Sequence, residues 1–433
     1  MESQRLEISR LFARFNFGPT PGQFSQALQD GFKNTAEKIL NASEPDPRLD
    51  ALLAPVFVDI GPRPSPADKA ASRIFTQNLK TQSDELTIWW LDRMAIARNP
   101  LIERMVWFWH GHWATSLDKV NFSLPMFKQN ETLRRNALGN FRAMSHEMFH
   151  DGALQIWLDG NDNIKGAPNE NLSREFMELF TLGVNMYSED DVKAIARAFT
   201  GYQTVRSTGV VIFNPKRHDS DPINVFGVNS SLDGDSAIDL ILSKSECADF
   251  ISDRLWYRFI SSSLPKDAKI GAAQAFSQRE VAPVISALIL NGALSDPRYS
   301  VVRQPVEWFI AICRAFSLQP SKLSNRNFIL GALQKMAQLP FYPPNVGGWP
   351  TDEAWLSSAS AQFRISFATG LSKQIDFTAL AAIASEQRIT YIKDLLGILE
   401  FSPRTFTALT NAKSDLPQFF TLAVCSPEFV VNA

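Results

Sequence analysis

The residues best suited to chemistry lie in one segment, residues 169–183, which reads NENLSREFMELFTLG. If the segment is helical, Arg174, Glu175 and Glu178 share one face, and the apolar residues form a separate stripe. Two carboxylates one turn apart repel each other unless they are protonated, bound to a metal or paired with a cation. The segment is therefore either the carboxylate half of a site or an Arg174-centred network that locks helices together.

Histidines supply the second set of candidates. The chain has 5 histidines, and most of them fall just upstream of the glutamate-rich segment. His110 and His112 flank Gly111, and they point the same way if the helix ends at that glycine. Alternatively, both imidazoles make local hydrogen bonds beneath neighbouring tryptophans. His218 precedes Asp219 in a polar loop, where such a pair supplies metal ligands, an oriented base or a turn-stabilising contact.

A third pattern is HEMFH at residues 146–150, an HExxH sequence. On a helix, His146 and His150 share a face and can bind Zn²⁺, with Glu147 as the general base. Glu170 lies at a plausible interval for the third ligand of a zincin-type peptidase. The alternative interpretation is a chance match with two exposed helix histidines.

Aromatic residues in the loop 339–358 have two interpretations as well. Trp349 and Trp355 form either an aromatic platform for a sugar or other flat ligand, or packing plugs of an aromatic-rich core. The chain contains no P-loop, GxGxxG, GxSxG or CxxC arrangement. Nucleotide-binding and serine-hydrolase functions therefore have no support.

The elements that position these residues are predicted to be helices. Helical periodicity dominates, which predicts an all-α protein with one large multi-helix domain over residues 1–433 and a small β-hairpin insertion at 203–227. A boundary near 225–235 is weakly indicated. Ser188 and Asp191 resemble a capping box that starts a helix.

Composition narrows the function classes. The net charge of −2 gives no electrostatic footprint for nucleic acid. No apolar stretch approaches the length of a membrane helix. If Met1 is the native start, we expect a cytoplasmic protein, and if a signal was removed, an exported one.

Several motifs together resemble the bacterial family called "domain of unknown function 1800". The resemblance implies a mostly helical protein, often exported and often encoded beside a sulfatase-like family, which would be a possible protein partner. It implies no particular activity. Related proteins lack HExxH at this position and tend to have proline where Gly152 stands. The matching segments are RLFARFNFGPT (10–20), FWHGHWATSLDKV (108–120), LRRNALGNF (133–141), DGALQIWLDG (151–160), PNENLSREFMELFTLG (168–183), YSEDDVKAIARAFTGY (187–202), RHD (217–219), PPNVGGWP (343–350) and SPEF (426–429).

The leading functional hypothesis is a metal-dependent enzyme of the hydrolase class, because His110, His112, His218 and the densest carboxylates fall in these segments. A divalent ion such as zinc, iron or manganese would be held by His110, His112, Glu170 and His218. The predicted catalytic residues are Arg174, Glu175, Glu178 and Asp219. The alternatives are a metal-free carboxylate-pair enzyme acting on glycans, a non-catalytic scaffold that binds a partner protein, and the zincin-type peptidase.

Overall fold

Helices make up most of the chain, as the sequence predicts. The computed structural model describes residues 2–42 and 44–432. The all-α class is confirmed. The α-helices of this described part are α1 Glu2–Phe15, α2 Gln23–Asp30, α3 Phe32–Leu40, α4 Pro47–Asp50, α5 Lys69–Ile96, α6 Leu101–His112, α7 Leu117–Val120, α8 Ser123–Arg135, α9 Phe141–Phe149, α10 Gly152–Trp157, α11 Glu170–Glu178, α12 Glu189–Ala198, α13 Gly234–Ser243, α14 Glu246–Phe259, α15 Lys266–Ala275, α16 Val281–Leu290, α17 Pro305–Ala315, α18 Arg326–Lys335, α19 Ser358–Ser372, α20 Thr378–Ala381, α21 Arg388–Leu395, α22 Pro403–Ala412, α23 Leu416–Val424 and α24 Pro427–Val430.

Within residues 2–42 and 44–432, the strands form three antiparallel pairs. They are β1 Tyr202–Val205 with β2 Val210–Phe213, β3 Ile223–Val225 with β4 Val228–Ser230, and β5 Val301–Val302 with β6 Val431–Asn432. The single hairpin predicted at 203–227 is thus replaced by two consecutive hairpins. The sequence does not predict the third pair, because it joins strands of two residues that lie far apart in the chain, and such short strands have no periodicity.

Local capping sets several helix boundaries. Ser188 and Asp191 form the predicted capping box of α12, in which each side chain accepts a hydrogen bond from the other residue's backbone N–H. Asp233 and Ser236 do the same at the start of α13. Gly31, with φ of 84°, divides one apolar-periodic stretch into α2 and α3. A residue with a side chain rarely adopts this conformation, so the glycine fixes the break.

Helix α6 lies at the centre of the molecule. Buried apolar side chains from α1 to α24 form one continuous cluster, and α6 contributes Met105, Trp107 and Trp109 to it. A helix that is buried on nearly every side belongs to the interior of a large protein. Both His110 and His112 lie on this helix, so they are interior residues.

The longest helix of the described chain, α5, has 28 residues and carries charged side chains along its length. Within the residues that the structure describes, no helix combines the length and the apolar character needed to cross a bilayer.

Candidate functional site

The glutamate-rich segment forms α11, which begins at an asparagine cap. The Asn169 side chain accepts a hydrogen bond from the backbone N–H of the second residue after it, 2.9 Å away. Arg174 donates to Glu170 at 3.0 Å and to Glu189 at 2.7 Å. Glu170 is therefore the i−4 partner of Arg174, and Glu189 lies at the start of α12. The Arg174-centred network predicted as one alternative is present, but it bridges α11 and α12 at the partly exposed surface rather than in the interior.

The other two glutamates of α11 have different environments. Glu178 accepts a hydrogen bond from the Tyr187 hydroxyl. Glu175 is half-buried, and its carboxylate has no hydrogen-bond donor in the described part of the chain. Burial, and secondarily the charge of Glu178, raises the pKa of Glu175 above its ordinary range. Glu175 thus holds a proton more readily than an ordinary glutamate does.

The His218–Asp219 pair braces a loop against the end of α12. Nδ1–H of His218 donates to the Thr200 carbonyl oxygen at 3.1 Å. Asp219 accepts from Nε of Arg197 at 2.7 Å, and this hydrogen bond lowers the pKa of its carboxyl group. None of these contacts reaches the α11 glutamates. These hydrogen bonds stabilise the loop, and metal binding by the pair stays a prediction.

The HExxH histidines turn toward α13. His146 contacts Asp235 through Nδ1 at 2.8 Å and Asp239 through Nε2 at 2.7 Å. His150 also contacts Asp235, at 3.0 Å. Glu147 pairs with an arginine of α8, and the predicted third ligand, Glu170, makes none of these contacts. Across residues 2–42 and 44–432, no group of three or more His, Cys, Asp or Glu side chains is arranged to hold a metal ion.

His110 and His112 do not converge. The helix continues through Gly111 to His112, so imidazoles two positions apart leave it in different directions. His110 is 1% exposed, and its Nε2 accepts a hydrogen bond from the backbone N–H of Phe341 at 3.1 Å. Burial lowers its pKa to about 3. His110 is therefore a neutral core histidine, packed against aromatic rings that include Trp90.

His112 faces a small cleft and has one unused ring nitrogen. It is 2% exposed, and Nε2–H donates to the Phe180 carbonyl oxygen at 2.9 Å. This hydrogen bond fixes the tautomer and leaves the lone pair of Nδ1 without a donor among the described residues. Burial, assisted by the charge of Arg254, lowers the pKa of His112 to about 3. The imidazole is thus neutral at physiological pH and can only accept through Nδ1.

Trp349 also lines the cleft. The indole stacks on Trp107 with ring centroids 4.9 Å apart, and its Nε1–H has no acceptor within the described chain. Its position depends on Gly348, which has a φ of +83° and where a Cβ would lie 2.3 Å from the Gly111 carbonyl oxygen. Only glycine permits this approach. Trp355, by contrast, is 3% exposed and donates to the Pro350 carbonyl oxygen, so it is a packing residue.

The cleft is also strongly cationic. Arg254 and Arg258 lie one turn apart on α14, and both line it. Arg258 shares the buried Glu307 carboxylate with Arg104. Arg303 lies within electrostatic range of Glu307 and Arg104. Arg254 has no carboxylate within ion-pair distance among the described residues, and burial alone lowers its pKa. Two of these guanidinium groups, Arg254 and Arg258, thus line the cleft, and Arg104 and Arg303 interact with the same Glu307 carboxylate as Arg258.

Sequence reasoning found His112 and Trp349 as candidates but missed Arg254. It lies in the stretch DRLWYRF of α14, which reads as an ordinary amphipathic helix. No spacing or motif marks this arginine. It becomes part of the cleft only because α14 packs beside α6.

The fold and the cleft together define a mainly helical protein with a small cationic pocket walled by histidine and tryptophan. The family model described as "Protein of unknown function (DUF1800)" matches residues 10–431. The chain therefore belongs to this family, and the resemblance seen in the sequence is confirmed. No curated protein and no solved structure matches the chain.

Proposed function

We propose that this protein binds a small oxyanion that also carries a hydroxyl group, in the cleft between His112, Trp349 and Arg254. The observation that carries the proposal is the charge of Arg254, which is half-buried without a carboxylate partner in the described chain. A guanidinium group stays protonated in proteins, so Arg254 loses part of its hydration, and a bound anion would compensate for that loss. Carboxylate and phosphate oxygens match its planar array of donors.

The two unpartnered ring nitrogens specify the rest of the ligand. Nδ1 of His112 accepts a hydrogen bond, and Nε1–H of Trp349 donates one. Leaving a buried polar atom unpaired costs about 1–3 kcal/mol. A ligand with an anionic oxygen and an adjacent hydroxyl satisfies both nitrogens, since its hydroxyl donates to His112 and its oxygen accepts from Trp349. Hydroxycarboxylates and hydrogen phosphate share this chemistry.

The volume of the cleft limits the size of the ligand. It is about 170 Å³. A protein cavity of about 150 Å³ holds one benzene molecule, which has six non-hydrogen atoms. Lactate and phosphate are of this size, whereas a disaccharide or a peptide enters only in part. The cleft therefore fits a whole small anion or the charged end of a larger one.

The metal-dependent hydrolase stays a prediction. Its expected ligands have different hydrogen-bond or ion-pair partners; they are His110, His112, Glu170 and His218. The anion proposal uses His112 alone of these four and needs no metal ion. A metal-free carboxylate pair draws specific support from Glu175, whose raised pKa suits a general acid beside Glu178. A carboxylate-pair enzyme would keep its hydrolytic activity in the presence of a chelator and lose it in Glu175→Gln. A metal-dependent hydrolase would lose its activity on chelation.

Isothermal titration calorimetry at low ionic strength tests the anion proposal. The probes are lactate, propionate and inorganic phosphate, in a buffer without other small oxyanions. We expect lactate to bind more tightly than propionate by about fivefold, the value of one neutral hydrogen bond. Arg254→Gln should weaken lactate binding by about tenfold or more, because a charge-assisted pair is lost. Arg326→Gln, at an exposed position of α18, is the matched control.

A second variant separates charge recognition from hydroxyl recognition. His112→Leu should retain propionate affinity and lose the preference for lactate, since only the hydroxyl acceptor is removed. Phosphate binding without lactate binding would identify phosphate as the ligand type. Equal affinities for wild type and Arg254→Gln, or no heat with any probe at millimolar concentration, would refute the proposal.

A further inference from the structure

A second cavity, much larger than the His112 cleft, lies between α1–α3 and the junction of α5 with α6. Its volume is about 770 Å³, within the range of sites for small organic ligands. Asn16, which follows α1 directly, lines one side. Glu103 of α6 lines the opposite side. No residue that the sequence singled out as chemical lies here, so the cavity is independent of the anion site.

Asn16 gives the cavity an unpaired hydrogen-bonding group. The residue is 1% exposed. Neither its Oδ1 nor its Nδ2 has a partner within residues 2–42 and 44–432. A buried amide with both ends unpaired is costly, and natural structures rarely keep one without a ligand or water to pair with it. An amide offers one acceptor beside one donor. The complementary ligand group is another amide, which pairs with it through two hydrogen bonds.

The charges around the cavity favour a cation. Two lining carboxylates, Glu44 and Asp50, have no ion-pair partner in the described chain, against one such lining cation, Arg98. The other lining carboxylates are Asp30, Asp46 and Glu103, and the other lining cations are Lys38 and Arg93. Asp30 pairs with Lys38 at 2.6 Å. Asp46 pairs with Arg48 at 3.3 Å, and Glu103 with both Arg93 and Arg134 at 2.8 Å. Asp50 has no ion-pair partner in the described chain and is exposed to solvent. An incoming positive charge therefore has a carboxylate available.

Apolar surface completes the lining. Phe12 and Ala27 contribute from α1 and α2, Ile39 from α3, and Ile102 from α6. These side chains offer an aliphatic stem a place to lose its hydration, as the methylene chain of a lysine does. The cavity thus combines the unpaired Asn16 amide, an apolar wall and the Asp50 carboxylate, which has no ion-pair partner in the described chain.

We propose that this cavity binds a peptide-like cation, namely a basic amino-acid residue within amide linkages. The Asn16 amide pairs with a backbone amide of the ligand, the aliphatic lining holds its side-chain stem, and Asp50 attracts its charged end. This site goes beyond the anion-binding function, because neither its residues nor its ligand chemistry overlap with the His112 cleft.

Titration of the full-length chain with three small probes tests the proposal. They are the N-acetyl, N′-methylamide derivatives of lysine, norleucine and glutamate, which share two amides and differ in charge. We expect the lysine probe to bind more tightly than the norleucine probe, and the glutamate probe to bind weakest, about tenfold below lysine. Asn16→Leu, which removes both unpaired atoms at nearly constant volume, should weaken all three probes by about fivefold or more.

Two further variants keep the test decisive. Asp50→Asn lies at an exposed position and should reduce binding of the lysine probe while leaving the norleucine probe unchanged. Asn327→Leu, an exposed asparagine of α18, is the matched control and should change nothing. Thermal unfolding checks that Asn16→Leu folds, and we expect its Tm to equal or exceed that of wild type. Equal affinities for the lysine and glutamate probes, or unchanged affinities in Asn16→Leu, would overturn the inference.

Discussion

Glu307 should stabilise the folded protein and weaken anion binding in the His112 cleft. Its carboxylate is 2% exposed and accepts hydrogen bonds from Arg104 and Arg258, and from the Gln304 backbone N–H at 3.1 Å. Burial opposes ionisation, but the two guanidinium charges outweigh it and keep the pKa of Glu307 below its ordinary value. Glu307→Gln preserves the shape of the side chain and removes the negative charge.

The expected loss of stability is large. Removing one partner of a buried ion pair costs about 3–5 kcal/mol, because the other charge stays buried without compensation. Two arginines depend on this carboxylate, so we expect the upper end of that range. Glu400→Gln is the control, since Glu400 pairs with Lys393 at 2.7 Å while its side chain is 67% exposed. Such a surface pair contributes less than about 1 kcal/mol.

The same change should strengthen anion binding. Removing a negative charge beneath the His112 cleft makes the guanidinium cluster more positive, so phosphate should raise the Tm of Glu307→Gln more than that of wild type. The pH dependence has a definite sign as well. A depressed carboxyl pKa stabilises the fold above the unfolded value of about 4.3 and loses that contribution as the pH falls through the folded value. The variant should lack this acid-dependent loss.

Urea unfolding followed by tryptophan fluorescence measures these effects, with and without phosphate. Similar losses for Glu307→Gln and Glu400→Gln would show that the cluster is not buried as described. A larger phosphate effect in wild type than in Glu307→Gln would show that the cluster does not influence the cleft.

Three other changes test separate features. Gly348→Ala should cost about 1–3 kcal/mol and weaken lactate binding in calorimetry, because a Cβ would lie 2.3 Å from the Gly111 carbonyl oxygen in a positive-φ conformation. Burial raises the pKa of Asp151 to about 7, so its contribution to stability falls as the pH rises from about 4 toward that value. Asp151→Asn should therefore flatten the decline of Tm over this window, and a parallel decline in both proteins would contradict the assignment. Arg174→Ala should lower the free energy of unfolding by less than about 1 kcal/mol, since its partners are exposed.

The features that the sequence predicts correctly are mainly local. Helical periodicity identifies the all-α class, and the capping box at Ser188 needs only residues three positions apart. The network around Arg174 follows partly from i, i+4 spacing, since Glu170 lies one turn away. Its second partner, Glu189, belongs to another helix, and no local spacing predicts that contact.

The prediction about Gly111 illustrates what local reasoning lacks. The two histidines converge only if the helix ends at the glycine between them, and α6 continues through it. A tertiary contact meets the helix here, because Gly348 lies so close to the Gly111 carbonyl oxygen that a Cβ at position 348 would be 2.3 Å from it. The same contact places Trp349 beside the cleft. Arg254 could not be found at all, since its role depends on packing between α14 and α6.

The most direct test of the anion site is the ring-nitrogen NMR spectrum of ¹⁵N-histidine-labelled protein, titrated with lactate. The chain has 5 histidines, and His112→Leu assigns the signals of His112. The structure predicts that free His112 is the neutral tautomer with a protonated Nε2 and a bare Nδ1. On addition of lactate, the Nδ1 resonance of His112 should shift as it accepts a hydrogen bond, while His110 stays unchanged. A shift confined to the surface residues His146 and His150, or no shift at His112 at saturating lactate, would contradict the account.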